Sequence, residues 1–175
     1  MRRLILIGVT MAGLSGPNMG LLGQRPDVTV PATLVPPEIE TLVREALEDR
    51  LDAEDLPEMR SFRASVNIAI LDELPRARLK LSPAALPRAV SGHVFSLVTT
   101  ASAQATADRT GKEFSFLFVD VPSIAGETAT ILMGRDVTLP REPNATKLCC
   151  CSATGEFRRG AGRWTFVRWQ ERHCG

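Results

Sequence analysis

The chain has 175 residues, a formal net charge of +1 and 23% charged residues. This near-neutral balance gives no reason to expect nucleic acid or an anionic membrane as a partner. A chain of this length can bury an ordinary hydrophobic core, so disulfides between its four cysteines would add to a core rather than replace one.

The N-terminus has the pattern of a secretory signal peptide. Arg2 and Arg3 precede an apolar run from Leu4 to Leu14, and such a run is too short to span a bilayer, which needs about 20 apolar residues. We therefore predict a periplasmic or secreted protein that has no membrane contact after signal cleavage. The predicted segments are a signal peptide (1–23), an extended, proline-rich leader (24–36) and a single α+β domain (37–175).

A helix is predicted from Pro37 to a point before Pro57. Proline at the first position and Glu38 and Glu40 in the first turn are typical of a helix N-terminus. Apolar residues recur at helical spacing. They are Ile39, Leu42, Val43, Ala46 and Leu47. This narrow stripe predicts a helix that packs one side on a sheet.

Charge is unevenly distributed along the chain. Between Pro36 and Glu58 there are nine acidic residues and two arginines, whereas from Thr146 onward there are six basic residues and two acidic ones. One interpretation is a basic binding face for an acidic partner. The other, which we favour because solvated charged faces are common, is that the two segments are neighbours in the fold.

The middle of the chain predicts short strands and one further helix. Ser65–Leu71 and Arg78–Leu81 have β-type alternation. The segment Val94–Asp108 is ambiguous, because its start suits a strand and its alanine-rich end, before Gly111, suits a helix that stops at glycine.

Two β-hairpins are predicted in the last third. The first pairs Phe114–Val119 with Thr128–Leu132 around Ala125-Gly126. The second pairs Gly155–Arg159 with Arg163–Trp169 around a glycine-rich turn. A helix followed by antiparallel strands predicts an α+β fold with an N-terminal helix packed on a curved antiparallel sheet.

The segments Gly126–Ile131 (GETATI) and Gly162–Trp169 (GRWTFVRW) resemble the last strands of small nuclear-transport-factor-2-like (NTF2-like, SnoaL-type) domains. The resemblance covers residues 113–171 and extends loosely to secreted bacterial proteins of unknown role with a Cys-Cys-Cys run. It implies a curled sheet wrapped over N-terminal helices. Since this chain predicts one convincing N-terminal helix, a cystatin-like arrangement is the alternative. That family includes enzymes and binding domains, so the fold would not decide function.

The cysteines predict a disulfide near the end of the chain. If Ala161-Gly162 is a two-residue turn, three opposed pairs follow: Phe157 with Phe166, Arg159 with Trp164, and Cys149 with Cys174. We therefore predict a Cys149–Cys174 disulfide, with Cys150 and Cys151 as alternative partners if the register shifts.

A metal site is the alternative role for these residues. Thiolate and imidazole ligands from Cys149, Cys151, His173 and Cys174 would suit Cu(I) or Zn(II). The spacing argues against it, because adjacent cysteines in a strand cannot converge on one ion.

No catalytic residue, cofactor or nucleic-acid motif is predicted, and the sequence favours a non-catalytic binding or accessory module whose partner is unknown. It could form a homodimer through a sheet face. The alternatives are a pocket enzyme of NTF2-like fold and a periplasmic metal-handling protein. An enzyme predicts an apolar pocket with Asp or His at its floor, whereas a binding module predicts a filled interior.

Overall fold

The computed structural model describes residues 33–51, 53, 62, 65–88, 90, 92–141 and 150–174. The predicted signal peptide, most of the predicted leader and Cys149 lie outside the described residues. The described helices are α1 (Pro37–Leu51) and α2 (Thr100–Thr110). The described strands are β1 (Thr33–Leu34), β2 (Asn67–Leu71), β3 (Glu73–Leu74), β4 (Leu79–Lys80), β5 (Val94–Val98), β6 (Phe114–Ala125), β7 (Thr128–Thr138), β8 (Cys151–Gly160) and β9 (Arg163–Cys174).

A six-stranded sheet in the order β5-β2-β6-β7-β8-β9 forms the centre of the fold. The strands β6 to β9 are antiparallel, but β2 runs parallel to both of its neighbours. The α+β class is confirmed, and the predicted antiparallel sheet is corrected to a mixed one. The physical reason is that α2 carries the chain from β5 across to β6, so both strands point the same way beside β2.

A second, three-stranded sheet has the order β1-β4-β3. Its strand β1 comes from the end of the predicted leader and pairs in parallel with β4. The next residue, Val35, is buried and donates its backbone N–H to the Lys80 carbonyl. The folded domain therefore includes residues that precede the predicted boundary at 37.

Helix α1 packs its apolar stripe on one face of the large sheet, as predicted. The side chains of Leu42, Val43, Ala46 and Leu47 are buried, and they share one core cluster with residues from β2, β6, β7, β8 and β9. Burial of several large apolar side chains on one helix is the main source of its stability.

Helix α2 covers part of the opposite sheet face. Thr99 caps its N-terminus, and Gly111 ends it in the left-handed conformation that glycine adopts without strain. Its buried Ala103 packs with Leu71 and Phe116. The ambiguous segment thus contains a strand followed by a helix.

The acidic and basic segments are neighbours, which confirms the favoured interpretation of the charge distribution. Glu38 on α1 lies 2.9 Å from the Arg159 guanidinium, and Glu48 lies 3.7 Å from that of Arg163. Glu45 accepts the backbone N–H of Trp164 at 2.8 Å. Because both arginines and Glu38 are exposed to solvent, these ion pairs orient α1 against β8 and β9 more than they stabilise the fold.

The second hairpin has the predicted turn but a different register at its far end. Ala161 and Gly162 both have positive φ values, as in a two-residue hairpin turn. The pairs Arg159 with Trp164 and Phe157 with Phe166 are confirmed. Two bulges follow, at Val167 and Gln170, and each adds one residue to β9 that has no partner in β8.

These two bulges determine the partner of Cys174. They move β9 by two positions relative to β8, so Cys174 faces Cys151 instead of Cys149. The structure joins Cys151 and Cys174 in a disulfide, with their Cα atoms 4.1 Å apart. The pairing predicted for Cys149 is therefore replaced by one of its stated alternatives, because bulges cannot be read from the turn alone.

We expect Cys174→Ser to lower the free energy of unfolding by up to about 3 kcal/mol, because the bond closes a loop of roughly two dozen residues. Denaturant unfolding of the oxidised variant and wild type would measure the loss. The control is the same comparison of variant and wild type in reductant, where the difference in unfolding free energy should largely disappear.

Mass analysis of a non-reducing digest should link Cys174 to Cys151, and a link from Cys174 to any other residue would contradict the structure.

The packing around Gly134 in β7 leaves no space for even a methyl group. A Cβ atom built there would lie 2.5 Å from the Cys151 carbonyl oxygen and 2.9 Å from Cζ of Phe118. We expect Gly134→Ala to destabilise the protein by about 1–3 kcal/mol, because backbone and a ring must move. Gly160→Ala is the matched control, since no atom lies within 4 Å of its Cβ position. Equal melting temperatures for the two variants would contradict this packing.

Candidate functional site

The described residues cover one face of the large sheet only in part. Helix α2 packs over β2, β6 and the end of β5, while α1 lies on the other face. Within the described parts of the chain, no helix covers β8 and β9 on the α2 side. We call this uncovered part, formed by β7 to β9 and the adjacent edge of β6, the open face.

The open face contains a cleft of about 430 Å³. Its walls come from β6 to β9 and from the turn between β3 and β4. The lining residues are Arg76, Pro122, Thr130, Leu132, Ser152, Thr154, Glu171 and His173. We call it the polar cleft, because hydroxyl and charged groups form most of this set.

Irregular backbone borders the polar cleft on two sides. In β6 the register shifts between Asp120 and Ser123, where Pro122 has no N–H to give to the ladder. In β9 the bulge at Gln170 directly precedes Glu171. Bulges re-aim side chains and are frequent next to functional sites. Their position here marks the cleft as a site candidate.

A buried carboxylate anchors one wall of the cleft. Asp120 is only 2% exposed, and its Oδ2 lies 3.5 Å from Nε of Arg76. Its Oδ1 accepts the backbone N–H of Val121 at 3.0 Å. Removal of a carboxylate from water is costly unless it is paired. The Arg76 side chain, 69% exposed, supplies that pairing charge at the surface.

Hydroxyl groups line the middle of the cleft. Thr154 pairs with Leu132 on one side and Glu171 on the other, while Ser152 pairs with His173. Thr130 lies on the same face of β7, two positions from Leu132. These half-buried hydroxyls can each donate and accept a hydrogen bond. They can therefore bind the hydroxyl or amide groups of a small molecule.

The wall formed by β9 carries a histidine and a carboxylate. Nε2 of His173 lies 3.2 Å from Oε2 of Glu171, and both side chains are exposed. This pair offers hydrogen-bond acceptors and donors to a ligand. The wall is three strands away from Asp120, so the two carboxylates are separated by roughly 14 Å at the usual strand spacing.

A second, more apolar cleft of about 390 Å³ lies nearer to α2. Phe116, Phe118 and Asp136 contribute to its lining. Oδ1 of Asp136 accepts the backbone N–H of Val137 at 2.6 Å and lies 2.8 Å from Sγ of Cys150. Asp136 is thus engaged by groups of the protein itself.

The structure separates His173 from Cys151 and Cys174, three of the four residues of the alternative metal site. Cys151 and Cys174 are bonded to each other, and alternation places His173 on the opposite face of β9 from Cys174. Cys149 lies outside the described residues. In the described ranges, no group of three or more His, Cys, Asp and Glu side chains could hold a metal ion.

The residues that form the polar cleft were not predicted, apart from His173. Arg76 and Asp120 come from distant parts of the sequence and meet only in the fold. The available signal is an acid inside the apolar run Val119-Asp120-Val121, followed by a proline. Such a pattern indicates a bulged strand with a polar group that needs a partner.

None of the helices in the described ranges is long and apolar enough to cross a membrane. No family model matches this sequence, and neither curated proteins nor solved structures show a significant match to it.

Proposed function

We propose that this protein is a non-catalytic binding module that holds a small, hydroxyl-bearing molecule in the polar cleft. The observation that carries the proposal is the row of hydroxyls formed by Thr130, Thr154 and Ser152 on neighbouring strands of the open face. Neutral hydrogen-bonding groups placed between charged walls can bind and orient a polar ligand at little desolvation cost.

The packing under α1 supports binding rather than catalysis. A pocket enzyme of NTF2-like fold would use a cavity lined by inward residues of β6 and β7. On that face, Leu117, Val119 and Ile131 are instead fully buried in the core cluster. In the polar cleft, the described hydrogen bond of His173 is to Glu171 and not to a hydroxyl nucleophile.

The disulfide supports the further proposal that the protein acts in the periplasm or outside the cell. Disulfides persist in oxidising compartments, and the pair Cys151–Cys174 agrees with the signal-peptide pattern at Arg2 to Leu14. An NTF2-like relationship also remains a proposal, supported by the helix packed on a sheet that ends in two hairpins.

Titration of isotope-labelled protein with neutral polyols and sugars, monitored by amide chemical shifts, would test the binding function. D-Sorbitol, D-glucose and glycerol are suitable probes. We expect at least one probe to shift the amides of Thr130, Ser152 and Thr154. Thr154→Val should weaken binding about two- to tenfold, since it removes one hydrogen bond without a change in shape.

The matched control is Thr165→Val, which alters an exposed threonine near the hairpin turn. It should bind as the wild type does. The proposal is overturned if neither a neutral polyol nor a polyol that carries an acid group shifts the cleft amides, or if Thr154→Val binds as tightly as the wild type.

A further inference from the structure

We propose that the ligand of the polar cleft is an acid, a polyhydroxylated molecule whose carboxylate or phosphate binds the guanidinium of Arg76. This inference rests on the proposed binding function and adds the charge and orientation of the ligand. The hydroxyl end of the molecule would lie toward Thr154 and His173.

The contacts of Arg76 point to an anion site. The described interaction of this side chain is the ion pair through its Nε atom with Asp120. The two terminal nitrogens of a guanidinium form a planar fork that matches a carboxylate or a phosphate. Because Arg76 lines the cleft with most of its side chain exposed, this fork is accessible to a ligand.

Asp120 makes this site pre-organised. The carboxylate is almost completely buried at the β6 bulge and is fixed by the Val121 N–H. It therefore attracts the Nε edge of the guanidinium before any ligand arrives. A side chain whose conformations are already restricted by such an attraction loses less conformational entropy on binding, which favours affinity.

The distribution of the other charges orients the ligand. Arg76 is the cation with a permanent charge in the cleft lining, and the exposed acid of the lining, Glu171, lies on the far wall. Asp120 already balances part of the Arg76 charge at its Nε edge, so the attraction for an anionic group is a short-range one at the two terminal nitrogens. Glu171 would repel that group from the far wall. Glu171 and His173 remain available to the hydroxyl groups at the other end of the molecule.

Three probes with the same carbon skeleton length test this inference. D-Sorbitol is neutral, D-gluconate carries a terminal carboxylate, and D-sorbitol 6-phosphate carries a phosphate. Calorimetric or chemical-shift titration should show that at least one acid binds about tenfold or more tightly than sorbitol, as one charge-assisted bidentate contact would give. The acid with the larger gain identifies the anionic group.

Substitutions test whether Arg76 causes the tighter binding of the acids. Arg76→Gln should reduce the preference for the acids over sorbitol to about one, because the guanidinium is lost. Arg78→Gln is the matched control in the same turn, and it should keep the preference. If Arg76→Gln is unstable because Asp120 is left unpaired, the double variant Arg76→Gln/Asp120→Asn removes both charges and should give the same ratio.

The results separate this inference from the proposed function. Equal binding of sorbitol and both acids in the cleft would overturn the acid preference and leave the binding function standing. If Arg76→Gln still binds the acids more tightly than sorbitol, the proposed role of Arg76 would be overturned as well. Failure of all three probes to bind would overturn both.

Discussion

The register of the β8–β9 hairpin is the constraint on which the disulfide and the polar cleft both depend. Val167 and Gln170 add two residues to β9, so the far end of this strand meets β8 two positions from where the turn alone would place it. Cys174 then faces Cys151, and His173 faces Ser152. The two-residue shift of β9 therefore places the Cys151–Cys174 disulfide on one face of the sheet and the β9 wall of the polar cleft on the other.

The bulges at Val167 and Gln170 also determine which aromatic side chains of β9 pack on the α1 side of the sheet. The bulge at Val167 turns Trp169 toward the α1 side, where its ring lies 4.7 Å from that of Phe166. Gly155 leaves the space for these rings, since a Cβ atom there would lie 3.0 Å from Trp169 and 3.2 Å from Phe166. The bulge at Gln170 then restores the earlier alternation. The same two strands, β8 and β9, thus carry packed aromatic rings on the α1 side and polar cleft residues on the open face.

Local patterns predicted most elements but not their long-range pairing. The period of the α1 stripe and the glycine turn of the last hairpin depend on neighbouring residues, and both were predicted from the sequence. The parallel pairing of β2 with β5 and β6 depends on the path of α2 across the sheet. Bulges depend on packing between strands, so neither feature follows from alternation within one strand.

The candidate site was less predictable than the fold because its central interaction joins an acid and a base that have no sequence relation. Asp120 lies in a strand whose other residues are mostly apolar. Its burial is offset by the Val121 N–H and by Arg76, which reaches it from the β3–β4 turn. A surface arginine could balance a solvated carboxylate with little effect on stability. When the carboxylate is buried, solvent screens its attraction for the arginine less. The ion pair that offsets the burial of Asp120 thus places a cation, Arg76, at the edge of a hydroxyl-lined cleft.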